Sequence, residues 1–162
     1  MGVSGCGKSS LGAALAADQG LPLIEGDDFH PPANIAKMRA GTPLTDADRA
    51  GWLAALGQQL AQAPRGAVLT CSALKRAYRD TLRAAVPGLR FVFMAISRQE
   101  AQARVESRGH HFFSSTLVDS QFATLEDPTG EPGVLPVPAT DAIEHLVQRV
   151  RDWAHDDNET QH

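Results

Sequence analysis

The chain opens Met1-Gly2-Val3-Ser4-Gly5-Cys6-Gly7-Lys8-Ser9, and the reading of this stretch decides the fold. Gly2 to Ser9 fits G-x-x-x-x-G-K-[ST], a loop that cradles the phosphates of a nucleoside triphosphate. Its glycines let the backbone turn back so that successive N–H groups converge on phosphate oxygens. A helix starting near Lys8 adds the positive end of its dipole. The expected ATP-binding set is Gly2, Val3, Ser4, Gly5, Cys6, Gly7, Lys8, Ser9 and Ser10. Lys8 reaches the β- and γ-phosphates, and the Ser9 hydroxyl ligates Mg²⁺. Leu11, Ala14 and Leu15 continue a helical period that Gly20 stops. Cys6, among loop amides and beside Lys8, is expected to be an alkylatable thiol that Mg-ATP protects.

A loop of this kind follows a buried parallel strand at the middle of a sheet. Here Met1 stands where the last residue of that strand belongs. The expectation is an apolar, β-branched run upstream, with the natural protein beginning roughly ten residues earlier. Without that strand its neighbours would face a slot lined by unpaired backbone.

With 162 residues, 43% of them hydrophobic, the chain reads as a single domain, 1–162, with a substantial core. A net charge of −4 argues against binding nucleic acid or an anionic membrane surface. The sequence has no long apolar run and no signal-peptide pattern, so a cytoplasmic protein is expected. Cys6 and Cys71 form no framework spacing and read as free thiols. A homodimer of the chain is compatible with this composition.

Strands and helices alternate throughout. Helices are expected over 9–18, 35–40, about 45–63, about 75–86, 98–107, 116–125 and 141–153. Strands are expected over 21–24, 67–71, 89–96 and 134–137, with a polar, frayed tail over 155–162. Asn34 is read as the cap of the short second helix, and Thr45 with Asp48 as a capping box. The pattern gives an α/β fold: a doubly wound parallel sheet in a three-layer α/β/α arrangement of the phosphate-loop kinase kind, its first strand missing.

Within that class the chain lacks the guanine-specifying N-K-x-D segment of a GTPase, and its strand over 67–71 ends in Cys71-Ser72 rather than in an acid. A small kinase fits better. Asp27, in the acidic turn after the first retained strand, could orient or deprotonate an acceptor hydroxyl. Arg104 and Arg108 lie four apart on a helix that runs into a lid over about 108–116.

Several further stretches carry a resemblance. They are Gly26 to His30 with Pro31 and Asn34, Lys37-Met38, Gly41 to Arg49, Trp52-Leu53, Cys71 to Lys75 with Tyr78-Arg79, Leu82-Arg83, His111-Phe112-Phe113, and Ser120-Gln121-Phe122 with Leu125-Glu126. Together with the opening loop they resemble gluconokinases of the phosphate-loop type, over nearly the whole chain. The resemblance implies Mg²⁺-assisted transfer of the γ-phosphoryl of ATP to the 6-hydroxyl of D-gluconate. It implies Lys8, Asp27 and Arg108 as catalytic residues, with Arg104 stacking on adenine and 138–141 walling it. A gluconate carboxylate calls for a cation, and Arg49, Lys75 and Arg79 are the candidates. His30, His111 and Gln121 are candidates for the sugar hydroxyls, whereas Trp52 and Phe122 read as core. Glu25, where the family has Asp, and His110, where it often has Gly, depart from the pattern. Two other readings stand beside this one: a shikimate-type small-acid kinase, and a nucleotide-binding protein without catalysis.

Overall fold

Gly7 marks the passage from loop to helix, with φ 94° at the N-cap of the first helix, a conformation that a β-carbon would strain. The computed structural model describes residues 1–108 and 115–159. In chain order the elements are α1 (Lys8–Gln19), β1 (Leu23–Glu25), a 3₁₀ turn (Gly26–Phe29), α2 (Pro32–Arg39), α3 (Asp46–Ala61) and β2 (Val68–Thr70). Then come α4 (Arg76–Ala85), β3 (Phe91–Ala95), α5 (Arg98–Arg108), α6 (Ser115–Thr124), β4 (Val134–Pro138) and α7 (Ile143–Glu159). No helix among the described residues is long and apolar enough to cross a membrane.

The strands are parallel, but they form two separate pairs. β1 pairs with β2, Ile24 opposite Leu69, and β3 pairs with β4, Phe93 opposite Pro136. β4 carries Pro136 and Pro138 and pairs on one side only, because proline has no N–H for a ladder. α1 packs with α7, and α3 packs with α4. Leu11, Leu56, Leu74, Leu82, Met94, Val137 and Leu146 are buried between these layers. Between β2 and β3 lies the expected slot. Met1 closes one end of it: its backbone N donates to Val92 O at 2.7 Å, and its O accepts from Met94 N at 3.0 Å.

Two local expectations are corrected. Asn34 does not cap α2. Pro31 holds the N-cap position, with Pro32 as the first helical residue. Asn34 lies inside the helix and is buried, and its amide donates to Asp48 O at 2.9 Å. A proline at this point has no N–H to leave unsatisfied, so no side-chain cap is needed. The tail is not frayed at His155, because α7 runs to Glu159. Arg151 pairs with Asp18 of α1, and Arg90 pairs with Asp157 at 3.6 Å while lying over the Trp153 ring. These tertiary contacts stabilise a helix end whose own sequence is polar.

The Thr45–Asp48 capping box is present in both directions, a feature that contributes about 1 kcal/mol. Lys37 also bonds Asp48 Oδ2 at 2.7 Å, so this cap ties α2 to α3. Together the two contacts hold the Asp48 pKa down at about 2, Lys37 being the larger cause.

Candidate active site

The carboxyl end of β1 runs directly into the site. A β-carbon on Gly26 would lie 2.2 Å from Thr70 O, so only glycine lets this turn pass so close to β2. Trp52 fixes the turn from α3 by donating from Nε1 to Gly26 O at 2.7 Å. The turn thereby presents Asp27 to a cavity of about 680 Å³, which the phosphate loop also lines.

Lys8 crosses the loop, with Nζ 3.0 Å from Gly2 O, 3.1 Å from Val3 O and 4.0 Å from Cys6 Sγ. An ammonium has three donors, and the thiol is a weak acceptor. A phosphate oxygen is the stronger partner for that third donor. The Ser9 hydroxyl donates to Glu25 Oε2 at 3.0 Å, and Thr70 donates to the same oxygen at 2.6 Å. With its proton given to Glu25, the Ser9 oxygen keeps its lone pairs for a cation. Glu25 was expected only as part of the acidic strand end and as a departure from the family's Asp, and nothing in its local pattern signals this bond.

Asp27 is 56% exposed at its side chain. Partial desolvation raises its pKa above the ordinary carboxylate value, Lys8 opposes this, and Glu25 and Asp28 add to it. The shift makes it a stronger base than a fully solvated carboxylate. His30 is buried and stacks on Trp52, ring centroids 4.1 Å apart. Burial, with Arg49 adding to it, lowers the His30 pKa to about 4, so the ring is neutral at pH 7. Nδ1 lies 3.3 Å from the Asn34 amide nitrogen. As the acceptor of that bond, Nδ1 carries no proton, which places the N–H at Nε2, 3.9 Å from Asp27 Oδ1.

A depressed folded pKa on a base carries a sign for stability. Between about pH 4 and 6.5 the unfolded chain binds the His30 proton and the folded chain does not. Stability is therefore fully present above pH 6.5 and is lost on acidification toward 4, by about 3 kcal/mol. Denaturant unfolding across this window should show that slope, and His30→Phe, which keeps the stack on Trp52, should flatten it.

The three candidates for a carboxylate partner separate clearly. Arg49 lines the cavity and is buried, and its hydrogen bonds to Leu44 O at 2.9 Å and Tyr78 Oη at 3.0 Å use Nη1. Lys75 and Arg79 do not line it. Lys75 bonds Asp46 Oδ1 at 3.1 Å, and Tyr78 donates to the same carboxylate. Arg79 is fully buried and pairs with Glu131 at 2.6 Å. It also donates to Ala73 O at 2.8 Å and Leu74 O at 3.1 Å. Ala73 has φ 47°, which costs about 1 kcal/mol in a residue with a β-carbon. Arg79 thus holds the strained turn that carries Ser72 to the cavity, and its charge is already compensated.

Arg104 donates to Gly5 O and Cys6 O of the loop and to Ala139 O after β4, each at 3.3 Å. It braces the loop against the 138–141 turn expected to wall adenine. Arg108 lines the cavity, as do Ser4, Gly5, Gly7, Ser9 and Ser10. Gln121 lines it too, but Oε1 accepts from Ser4 N at 2.6 Å, occupying a loop amide. Cys6 is fully buried, its sulfur turned toward Gly2, so the expected alkylation site is not accessible in this fold. Cys71 is also buried, and burial raises its pKa to about 11. His111 and most of the 108–116 lid lie outside the described residues. Met38, Arg39, Leu44, Trp52, Leu117 and Ser120 line the cavity without having been singled out for it.

Comparison with known proteins identifies the family. A family model described as an AAA domain matches residues 1–130. A gluconokinase of Gluconobacter oxydans is 48% identical over 140 residues, covering 85% of this chain and 79% of that protein. The chain belongs to the gluconokinase family. The thermoresistant gluconokinase of Escherichia coli is 37% identical, over 91% of this chain and 86% of that protein. A crystal structure of a gluconokinase from Sinorhizobium meliloti 1021 superposes with a TM-score of 0.90 at 46% identity, covering 100% of this chain and 95% of that one. An APS kinase of Mycobacterium tuberculosis, at 20% identity and TM-score 0.67, shares the fold.

Proposed function

We propose that this enzyme transfers the γ-phosphoryl of ATP to the 6-hydroxyl of D-gluconate. One observation carries the reading: a single cavity holds the phosphate loop with Lys8, the carboxylate of Asp27, and the buried guanidinium of Arg49. A kinase for a polyhydroxy acid needs these three functions, namely charge neutralisation, orientation of a hydroxyl and recognition of a carboxylate. Lys8 and the loop amides take the phosphates. Asp27 accepts the hydrogen bond of the acceptor hydroxyl. Arg49 offers its Nη2 to the carboxylate, and neutral His30 and Gln121 reach sugar hydroxyls. Arg108 steadies the transferring group.

The residues present fit Mg²⁺. Ser9 and the nearby carboxylates of Asp27 and Glu25 are hard oxygen donors. Among the described residues no three acidic, His or Cys side chains are placed to hold a metal ion by themselves; Mg²⁺ in a kinase site is held largely by phosphates and water. When bound, the ion would neutralise charge on the phosphates. The cytoplasm, which supplies ATP and keeps thiols reduced, suits an enzyme with two free cysteines.

Phosphorus and carbon NMR of the product tests the position of transfer. Coupling of phosphorus to C6 is expected. Coupling confined to C6 and, over three bonds, to C5 fits transfer to O6; coupling to C4 or any carbon nearer the carboxylate would overturn the assignment, and EDTA should abolish the reaction if the metal reading holds.

A further inference from the structure

Asp46 and Arg49 lie three apart in α3, a spacing at which an acid and a guanidinium can pair directly. Such a pair would draw Arg49 from the cavity and cancel its charge there. Tyr78 of α4 stands between the two. Its hydroxyl donates to Asp46 Oδ1, and its oxygen accepts from Arg49 Nη1 at 3.0 Å. The direction of these bonds is fixed. A carboxylate only accepts, a guanidinium only donates, and a phenol has one proton to give. That proton goes to Asp46, which leaves the Tyr78 lone pairs for Arg49.

Lys75 closes the outer end of this network, with Nζ 3.1 Å from Asp46 Oδ1 and 3.4 Å from Oδ2. Tyr78, and then Lys75, hold the Asp46 carboxyl below the ordinary carboxylate range. Both cations also lie over the Tyr78 ring, Arg49 Cζ 5.3 Å and Lys75 Nζ 5.7 Å from its centroid. The Asp46 side chain is 69% exposed, whereas Tyr78 and Arg49 are buried. The network therefore runs from solvent at Asp46 inward to the cavity at Arg49. Leu44 O accepts from the same Nη1 at 2.9 Å. With one nitrogen held by two acceptors, the planar guanidinium keeps a single orientation.

We propose that Tyr78 is a positioning residue for the acceptor: its hydroxyl holds the Arg49 guanidinium at the cavity and keeps it from collapsing onto Asp46. The role rests on Arg49 as the partner of the substrate carboxylate. Tyr78 touches no substrate itself. It sets where the cation stands before the acid arrives, so its effect falls on recognition of the acceptor rather than on phosphoryl transfer.

Steady-state kinetics of Tyr78→Phe test this, beside Arg49→Gln and the double variant. Phenylalanine keeps the ring over which both cations lie and removes only the hydroxyl. It is expected to raise KM for D-gluconate by about tenfold, the loss of one hydrogen bond to a charged group. The kcat and the KM for ATP should stay nearly unchanged. D-Gluconamide, which carries no charge, should be used equally by both chains. In the Arg49→Gln background the Tyr78 change should add nothing, because it acts through Arg49. A merely structural tyrosine would move kcat and the KM for ATP as well. Unchanged KM for D-gluconate in Tyr78→Phe, or an equal loss in the Arg49→Gln background, would overturn the proposal. If Arg49→Gln itself leaves that KM unchanged, the carboxylate reading fails first, and the role of Tyr78 with it. Should Tyr78→Phe not fold, Asp46→Ala at the exposed end of the network takes its place. It frees the Tyr78 proton, and a rise of about threefold in the same KM is expected. No rise would refute the role.

Discussion

Asp27→Asn is expected to lower turnover by on the order of a hundredfold to ten-thousandfold, with ATP affinity nearly unchanged. Asp27 sits on the cavity at the end of β1, where the Gly26 turn is pinned by Trp52. Its raised pKa leaves it a useful acceptor for a hydroxyl proton. Asparagine keeps the size and removes both the charge and the basicity. The fold should tolerate the change, because the Asp27 side chain is more than half exposed. Stopped-time turnover and ATP titration on one preparation separate the outcomes. Weakened ATP binding with normal turnover would make Asp27 a nucleotide or metal residue instead.

Lys8→Ala should cut turnover by a hundredfold or more, again with the fold intact. The ammonium spans Gly2 O and Val3 O and lies over the loop that takes the phosphates. Charge on the transferring group spreads toward the β/γ bridge as the bond breaks, and a fixed cation there stabilises the transition state more than the ground state. The effect should fall mainly on kcat. A folded Lys8→Ala chain with near-normal kcat would remove the phosphate-loop mechanism.

Local patterns made much of this legible beforehand. The loop glycines and Lys8 are contiguous, the apolar runs mark the strands, and Thr45 with Asp48 writes its own helix start. Contacts between distant segments were not legible. Arg79 and Lys75 share a helix face, and only the fold shows that Glu131 meets one and Asp46 the other. Cys6 looked reactive from its neighbours, yet its side chain turns inward beneath Gly2. Glu25 looked like a mild substitution until its carboxylate met Ser9 and Thr70 across the strand pair. Gln121, 117 residues from Ser4, reaches a loop amide that no spacing rule connects to it.

The central claim is tested most directly by coupled ADP release with Mg-ATP and a panel of acceptors: D-gluconate, other sugar acids and shikimate. The account predicts rapid ADP release with D-gluconate and little with the rest. ATP binding without release on any acceptor, or a clear preference for shikimate, would contradict it.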